Sequence, residues 1–403
     1  MADVRPFFCR RPTVDMAPGL AALPYDVFSR KEAAAEIAKH PGSFLRIDRP
    51  SAALPDDVGE YDRRVYEKAI ELYETDVHAG AFIDEDREHF FLYRLTKDGK
   101  SQTGIVSCIA VTDFENGTLK RHENTRSLKL EDRVRHIEAL GAHTGPVFVT
   151  YRPHDGLGAT IEQVLASSRP LYDFVAPDGI HHTVWRVDDL GAEEAICSYF
   201  TGFDALYIVD GHHRASAAVR IGIKRGGEAA YFLIVAFPAD QLSIMDYNRV
   251  VFDTNGLGRD GLLERIARSF SVEKSGKTPV KPARRGGFAM YLDGEWYQLF
   301  VHEELRRDDP IARLDVSLLH DLLLKPVLGI EDPCSSDRIA YVGGVRGLEE
   351  LKSRADTTGG VSFALYPCSL EEMFAVADAG KLMPPKSTWF EPKPRSGLFI
   401  HRI

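Results

Sequence analysis

The stretch LYIVDGHHRASAAVRIG, residues 206–222, decides how the chain is read. Leu206, Tyr207, Ile208 and Val209 form the continuous apolar run of a buried strand. Asp210 then brings a carboxylate to the strand's end, and Gly211 permits a tight turn. The alanine-rich residues that follow read as a helix stopped by Gly222. A helix start presents N–H groups without intrahelical partners and the positive end of the helix dipole. His212, His213 and Arg214 add donors there, and arginine can grip phosphate with two parallel hydrogen bonds. A lone Asp-Gly would be an ordinary turn. Four polar or cationic groups gathered at one helix start predict an anion site. Adjacent side chains diverge, so His212 and His213 are not expected to share a metal ion.

Working outward, residues 229–237 supply the next strand, and strand–turn–helix–strand predicts a βαβ unit. Upstream, residues 146–151 and 182–187 read as strands. A helix precedes them, with Leu130, Val134, Ile137 and Leu140 spaced by three or four and Gly141 as its stop. Before residue 113 the pattern predicts a helix over 29–40 capped by Ser29, a short strand over 43–47, and a helix over 61–79. A strand pair over 90–96 and 104–111 follows, turning at Lys97-Asp98-Gly99-Lys100. Beyond 245 come helices over 261–270 and 314–323 and a hairpin around Asp293-Gly294. The expected fold class is mixed, α+β with α/β character. Three regions are expected: an N-terminal α/β region over 1–112, a phosphate-binding core over 113–245, and a C-terminal α+β region over 246–403 that completes the site.

Two further segments carry chemistry. KRHENTRSLKLEDR, residues 120–133, sets Glu123 among Lys120, Arg121, His122, Arg126, Lys129 and Arg133. A carboxylate among cations can accept a hydroxyl proton beside bound phosphates, although the same residues also suit a solvated helix start. MPPKSTWFEPKPRSGLFI, residues 383–400, holds Lys386, Ser387 and Thr388 on a proline-stiffened loop. Those groups suit phosphate, while a proline-rich segment covering a core is the commoner use of such a sequence. Gly256-Leu257-Gly258-Arg259-Asp260-Gly261 matches GxGxxG, but the basic, loop-like residues after its helix offer no strand ending in an acidic residue. It reads as a glycine-rich turn.

Composition excludes several classes. The 403 residues are 44% hydrophobic and 27% charged, as in an ordinary globule. The longest apolar run, 229–237, falls short of the roughly 20 residues needed to span a bilayer. The first residues lack a secretory pattern, so a cytoplasmic location with no membrane partner is expected. Five scattered cysteines form no CxxC pair and suggest neither a zinc site nor a disulfide framework. A formal charge of −10 argues against nucleic acid as a partner.

Taken in order, these segments resemble a known family. LYIVDGHHRASAA with the following IGIKR resembles the phosphate motif of the archaeal ADP-dependent free serine kinases, which have a ParB/sulfiredoxin-like fold. LKRHEN resembles their segment with the catalytic glutamate, and MPPKSTWF their proline-lysine-threonine loop. Over nearly its full length the chain is also similar to an uncharacterised bacterial family, the domain of unknown function numbered one thousand and fifteen. That likeness rests on ALPYDV (22–27), SFLRIDRP (43–50) and TGPVFVTY (144–151), and it suggests that Pro24-Tyr25-Asp26 faces the site. The kinase resemblance implies a phosphoryl transfer from ATP or ADP to a free hydroxyl, with L-serine as first acceptor and Mg2+ as cofactor. Glu123 becomes the base, and Asp210 the magnesium ligand or phosphate orienter. Gly211, His212, His213, Arg214, Arg126, Lys386 and Thr388 become nucleotide and phosphate contacts, and His122 and Ser387 substrate contacts. The alternative is a ParB-type CTP- or ATP-binding switch or hydrolase without a small-molecule acceptor.

Overall fold

The protein is described by a computed structural model covering residues 1–125, 127–333 and 335–403. It divides into two compact units, one of Met1–Leu242 with Pro392–Ile403, the other of Ser243–Glu391.

The helices of the first unit include α1 (Arg30–Lys39), α2 (Arg63–His78), α3 (Ser127–Leu140) and α4 (His212–Arg225). Local chemistry sets their starts. Ser29 Oγ accepts from the Glu32 N–H at 3.2 Å while the Glu32 carboxylate accepts from the Ser29 N–H at 2.8 Å, a reciprocal cap on α1. Asp62 accepts from the Arg64 N–H at 2.9 Å and opens α2.

The sheet of this unit contains β1 (Val4–Arg5), β2 (Phe91–Lys97), β3 (Lys100–Ala110), β4 (Leu119–Lys120), β5 (Val147–Tyr151), β6 (Tyr172–Val175), β7 (His181–Arg186), β8 (Leu206–Asp210) and β9 (Tyr231–Pro238). Its order is β4-β8-β5-β9-β3-β2-β7-β6, with β1 paired to the end of β3. Only β4 with β8 and β5 with β9 run parallel. The class is α+β. Strands from before and after residue 113 share this one sheet. Ala215 and Ala218 of α4 pack with Val147, Val149, Ile208 and Ile234 in its core, where small side chains let helix and sheet approach closely. A smaller sheet joins Cys9–Pro12, Phe82–Asp84, Ala142–His143 and Ile400–Arg402.

Several expectations are corrected. The strand–helix–strand order of β8, α4 and β9 is present, but it is not a parallel βαβ unit. β5 lies between the strands, antiparallel to β8 and parallel to β9, so β8 and β9 run in opposite directions. Element order carries no information about a strand inserted from elsewhere in the chain. Residues 43–47 are no strand. Leu45–Asp48 is a helical turn, whose Leu45 N–H is received by Ser43 Oγ at 3.3 Å. A run of five largely apolar residues is buried equally well either way.

The second unit has an all-antiparallel sheet of β10 (Tyr247–Val251), β11 (Phe270–Gly276), β12 (Gly287–Leu292), β13 (Glu295–Val301), β14 (Ile339–Gly343) and β15 (Val361–Leu365), in the order β11-β13-β12-β15-β10-β14. The hairpin about Asp293-Gly294 is there, with φ of 48° and 81° at the two turn residues. The helix expected over 261–270 is Arg259–Ile266, and Phe270 already opens β11. That expected over 314–323 is Asp315–Leu319, continued by a π turn over His320–Leu324. No helix among the described residues is long and apolar enough to cross a membrane.

Candidate functional site

Strand β8 is buried from Leu206 to Val209, and its pairing with β5 slips one residue between Ile208 and Asp210. Such a bulge re-aims the side chain that follows it. Gly211 holds φ at 89°, the left-handed region, and a Cβ there would lie 2.9 Å from Arg214 Nη2. The turn therefore requires glycine. No side chain caps α4 behind it. Its first-turn N–H groups have no intrahelical acceptors, and they carry the positive end of a 14-residue helix.

Asp210 is held on both sides. Lys393 Nζ donates to Oδ1 at 2.6 Å, and Arg214 Nη2 donates to Oδ2 at 3.0 Å. Burial alone would raise this carboxyl, but Lys393 and Arg214 outweigh burial and hold it down at about 2. Arg214 also donates through Nη1 to the Pro146 carbonyl, so three chain segments are tied at the turn.

β4 brings in the second segment. Leu119 and Lys120 pair in parallel with Leu206 and Tyr207, so the next residues leave the sheet alongside the end of β8. His122 is buried, its ring edge-on to His212 with centroids 4.6 Å apart. Burial, reinforced by His212, drives the His122 imidazole down to about 3, with Glu123 pulling the other way. Burial, opposed by Asp210, takes His212 to about 3 as well. Both rings are therefore neutral at physiological pH. Nε2 of His212 is buried and has no hydrogen-bond partner. Glu123 is half-buried and His213 likewise.

The sequence-predicted residues His122, Glu123, Asp210, Gly211, His212, His213 and Arg214 thus gather at one edge of the first unit. Arg126 lies outside the described residues. Lys386, Ser387 and Thr388 belong to the second unit. There Lys386 has φ of 60°, and its ammonium lies 5.5 Å from the Tyr247 ring centre. Ser387 is buried, and its hydroxyl donates to the Pro384 carbonyl.

A family model described as "Protein of unknown function (DUF1015)" matches residues 4–317. The chain belongs to the DUF1015 family. No curated protein matches it. Among solved structures, a free serine kinase in complex with AMP is 14% identical, with a TM-score of 0.38, over 71% of this chain and 87% of that one. SbnI from Staphylococcus aureus is 15% identical, with a TM-score of 0.38, over 73% and 85%. A conserved hypothetical protein from Pyrococcus furiosus is 15% identical, with a TM-score of 0.37, over 72% and 93%. Scores this low leave the site to be argued from the residues of the DUF1015 chain itself.

Two features of this DUF1015 chain escape sequence reasoning. One is Lys393, the lysine that meets Asp210. The signal was Pro392-Lys393-Pro394, a second stiffened lysine in the segment already singled out for Lys386. The other is a cavity of about 30 Å³ beside Arg214, lined also by Tyr25, Asp48, Arg133, His143 and Thr144. Arg133 lies 3.8 Å from the Tyr25 ring centre, and Thr144 Oγ1 donates to Asp48 Oδ1 at 2.8 Å. The Tyr25 hydroxyl and both His143 ring nitrogens are buried there without partners. The space suits an ordered water or two rather than a metabolite.

Proposed function

We propose that this protein is a nucleotide-dependent phosphotransferase that moves a phosphoryl group from ATP or ADP to a free hydroxyl, with L-serine as the first acceptor to test. One observation carries the reading. An uncapped helix start behind a left-handed glycine packs through His212 on His122, the neighbour in sequence of the carboxylate Glu123. Phosphoryl transfer asks mainly for positioning and for stabilisation of spread negative charge, and a helix N-terminus supplies both to phosphate oxygens. On this reading the residues 113–245 form a ParB/sulfiredoxin-like nucleotide core, in keeping with the motif resemblance of residues 206–218.

The roles follow from position. N–H groups of α4 and the His213 side chain hold phosphate oxygens. Glu123 accepts the proton of the acceptor hydroxyl as its oxygen bonds to phosphorus and the bond to the departing nucleotide breaks. His122, kept neutral, contacts the acceptor. Asp210 is a positioning residue that fixes Arg214 and Lys393. It does not fit the part of magnesium ligand, because both of its oxygens already receive cations. Among the described residues one group of three could hold a metal, Glu85, Asp86 and His89, and there Glu85 already accepts from Arg11 and Arg186. Mg2+ therefore enters this proposal only as the companion of the nucleotide. Lys386, Thr388 and Ser387 stay in it as the loop that the resemblance assigns to phosphate and substrate.

The engagement of Asp210 also favours a second reading, a nucleotide-operated switch with no acceptor. Phosphorus NMR with magnesium separates the two, with ATP, ADP and CTP offered in turn, with and without L-serine. A phosphomonoester signal that requires serine and disappears in Glu123→Gln, while nucleotide binding persists, is the expected result. Nucleotide binding without any new phosphoester would move the weight to the switch.

A further inference from the structure

The second unit contains a cleft of about 620 Å³, a volume that suits a small-molecule ligand. Its lining includes Arg249, Ser317, His320, Tyr341, Pro384 and Pro385. Arg249 is 4% exposed and sits on strand β10, paired on one side with β14 and on the other with β15. The other buried arginines each meet a carboxylate: Arg11 meets Glu85, Arg133 meets Asp132, and Arg395 meets Asp178. Arg249 does not. Its guanidinium donates to the Tyr247 carbonyl and, at 3.1 Å, to the Lys386 carbonyl, and lies 5.1 Å from the Tyr341 ring centre. No ion pair to it occurs among the described residues. A desolvated cation without a counter-charge is strongly unfavourable, and burial pulls its pKa down to about 10.

A second observation points to a ligand. Ser317 is 6% exposed, lines the same cleft, and its Oγ is buried with no partner. His320 Nδ1 is in the same condition. Three of the four carboxylates in the lining are paired with other cations. Asp309 is held by Lys381 at 2.6 Å, Glu331 by Lys325 at 2.9 Å, and Asp321 by Arg307 at 3.8 Å.

We propose that this cleft binds a small monocarboxylate of the amino-acid class, with its carboxylate on Arg249, hydrogen bonds to Ser317 and His320, and its ammonium toward the acidic rim. One arginine balances one negative charge. A phosphate dianion would want a second cation, and no lysine or further arginine lines the cleft. The lining itself carries four carboxylates, Asp309, Asp321, Glu331 and Asp332, against one arginine, so a ligand with a positive end suits it. The inference does not rest on the phosphotransferase reading, which gives no part to Arg249, Ser317 or His320.

The test is calorimetric titration and thermal shift of the full chain with the twenty amino acids, lactate, acetate and inorganic phosphate. At least one amino acid should bind and raise Tm, and Arg249→Met should abolish the effect. Ser317→Ala removes one hydrogen bond, so it should weaken binding by about 5- to 10-fold. It also decides the matter if Arg249→Met fails to fold. A wild-type protein that answers to none of these probes, or to phosphate alone, overturns the proposal. So does a response that is unchanged in Arg249→Met, or in Ser317→Ala where that is the variant that folds. Nucleotide binding, measured in parallel, should be unaffected by Ser317→Ala.

Discussion

Gly211 concentrates the demands of the site in one residue. A side chain there must adopt a φ of 89° and meet Arg214 Nη2 at 2.9 Å, so Gly211→Ala would push the arginine off Asp210. We expect a stability loss of about 1–3 kcal/mol by urea denaturation, together with a clear loss of nucleotide affinity in calorimetry. Asp210 and Gly211 are legible in the sequence because a strand end, a carboxylate and a glycine are neighbours along the chain. Lys393 is not legible in that way. It meets Asp210 across 183 residues, and no local pattern reports such a pairing. His122 and His212 read as polar donors in the sequence, whereas burial makes them a neutral, edge-on pair. Only packing could reveal that.

At the level of elements, α4 illustrates where propensity and packing disagree. Gly222 lies within the helix, and alanine is the better helix former by about 1 kcal/mol. Yet a Cβ at 222 would collide with the Ala229 carbonyl and stand 2.6 Å from Val111 Cγ1. Gly222→Ala should therefore destabilise by about 1–3 kcal/mol, and a urea midpoint that rises instead would contradict the packing described here. The sequence read this glycine as the helix stop, a natural reading of glycine after a periodic run, but the helix continues to Arg225. Helices and strands were mostly recognisable because their apolar spacing is local. Their directions in the sheet were not, because β5 enters between β8 and β9 from far upstream.

For the molecule as a whole, buried histidines set the acid response. His122, His143, His182 and His212 are buried, and burial brings each down to about 3. The unfolded chain binds protons at these groups near pH 6.5 and the folded chain does not. Their contribution is therefore whole above that value and falls as the pH drops below it, by up to about 1.4 kcal/mol per pH unit for each. Tm should decline from about pH 6.5 downward, before carboxylates such as Asp210 begin to titrate. His143→Phe should shallow that decline, since both nitrogens of His143 lack partners and no hydrogen bond is lost.

The first unit takes in Pro392–Ile403 after the whole of the second unit has intervened. During synthesis on the ribosome, the second unit emerges as one uninterrupted stretch and can fold on the nascent chain. The first must wait. Until residue 393 appears, Asp210 lacks its lysine, and until residues 400–402 appear the small sheet lacks a strand between Cys9–Pro12 and Ala142–His143. A chain interrupted before that point would leave Asp210 held by Arg214 alone and the small sheet split in two.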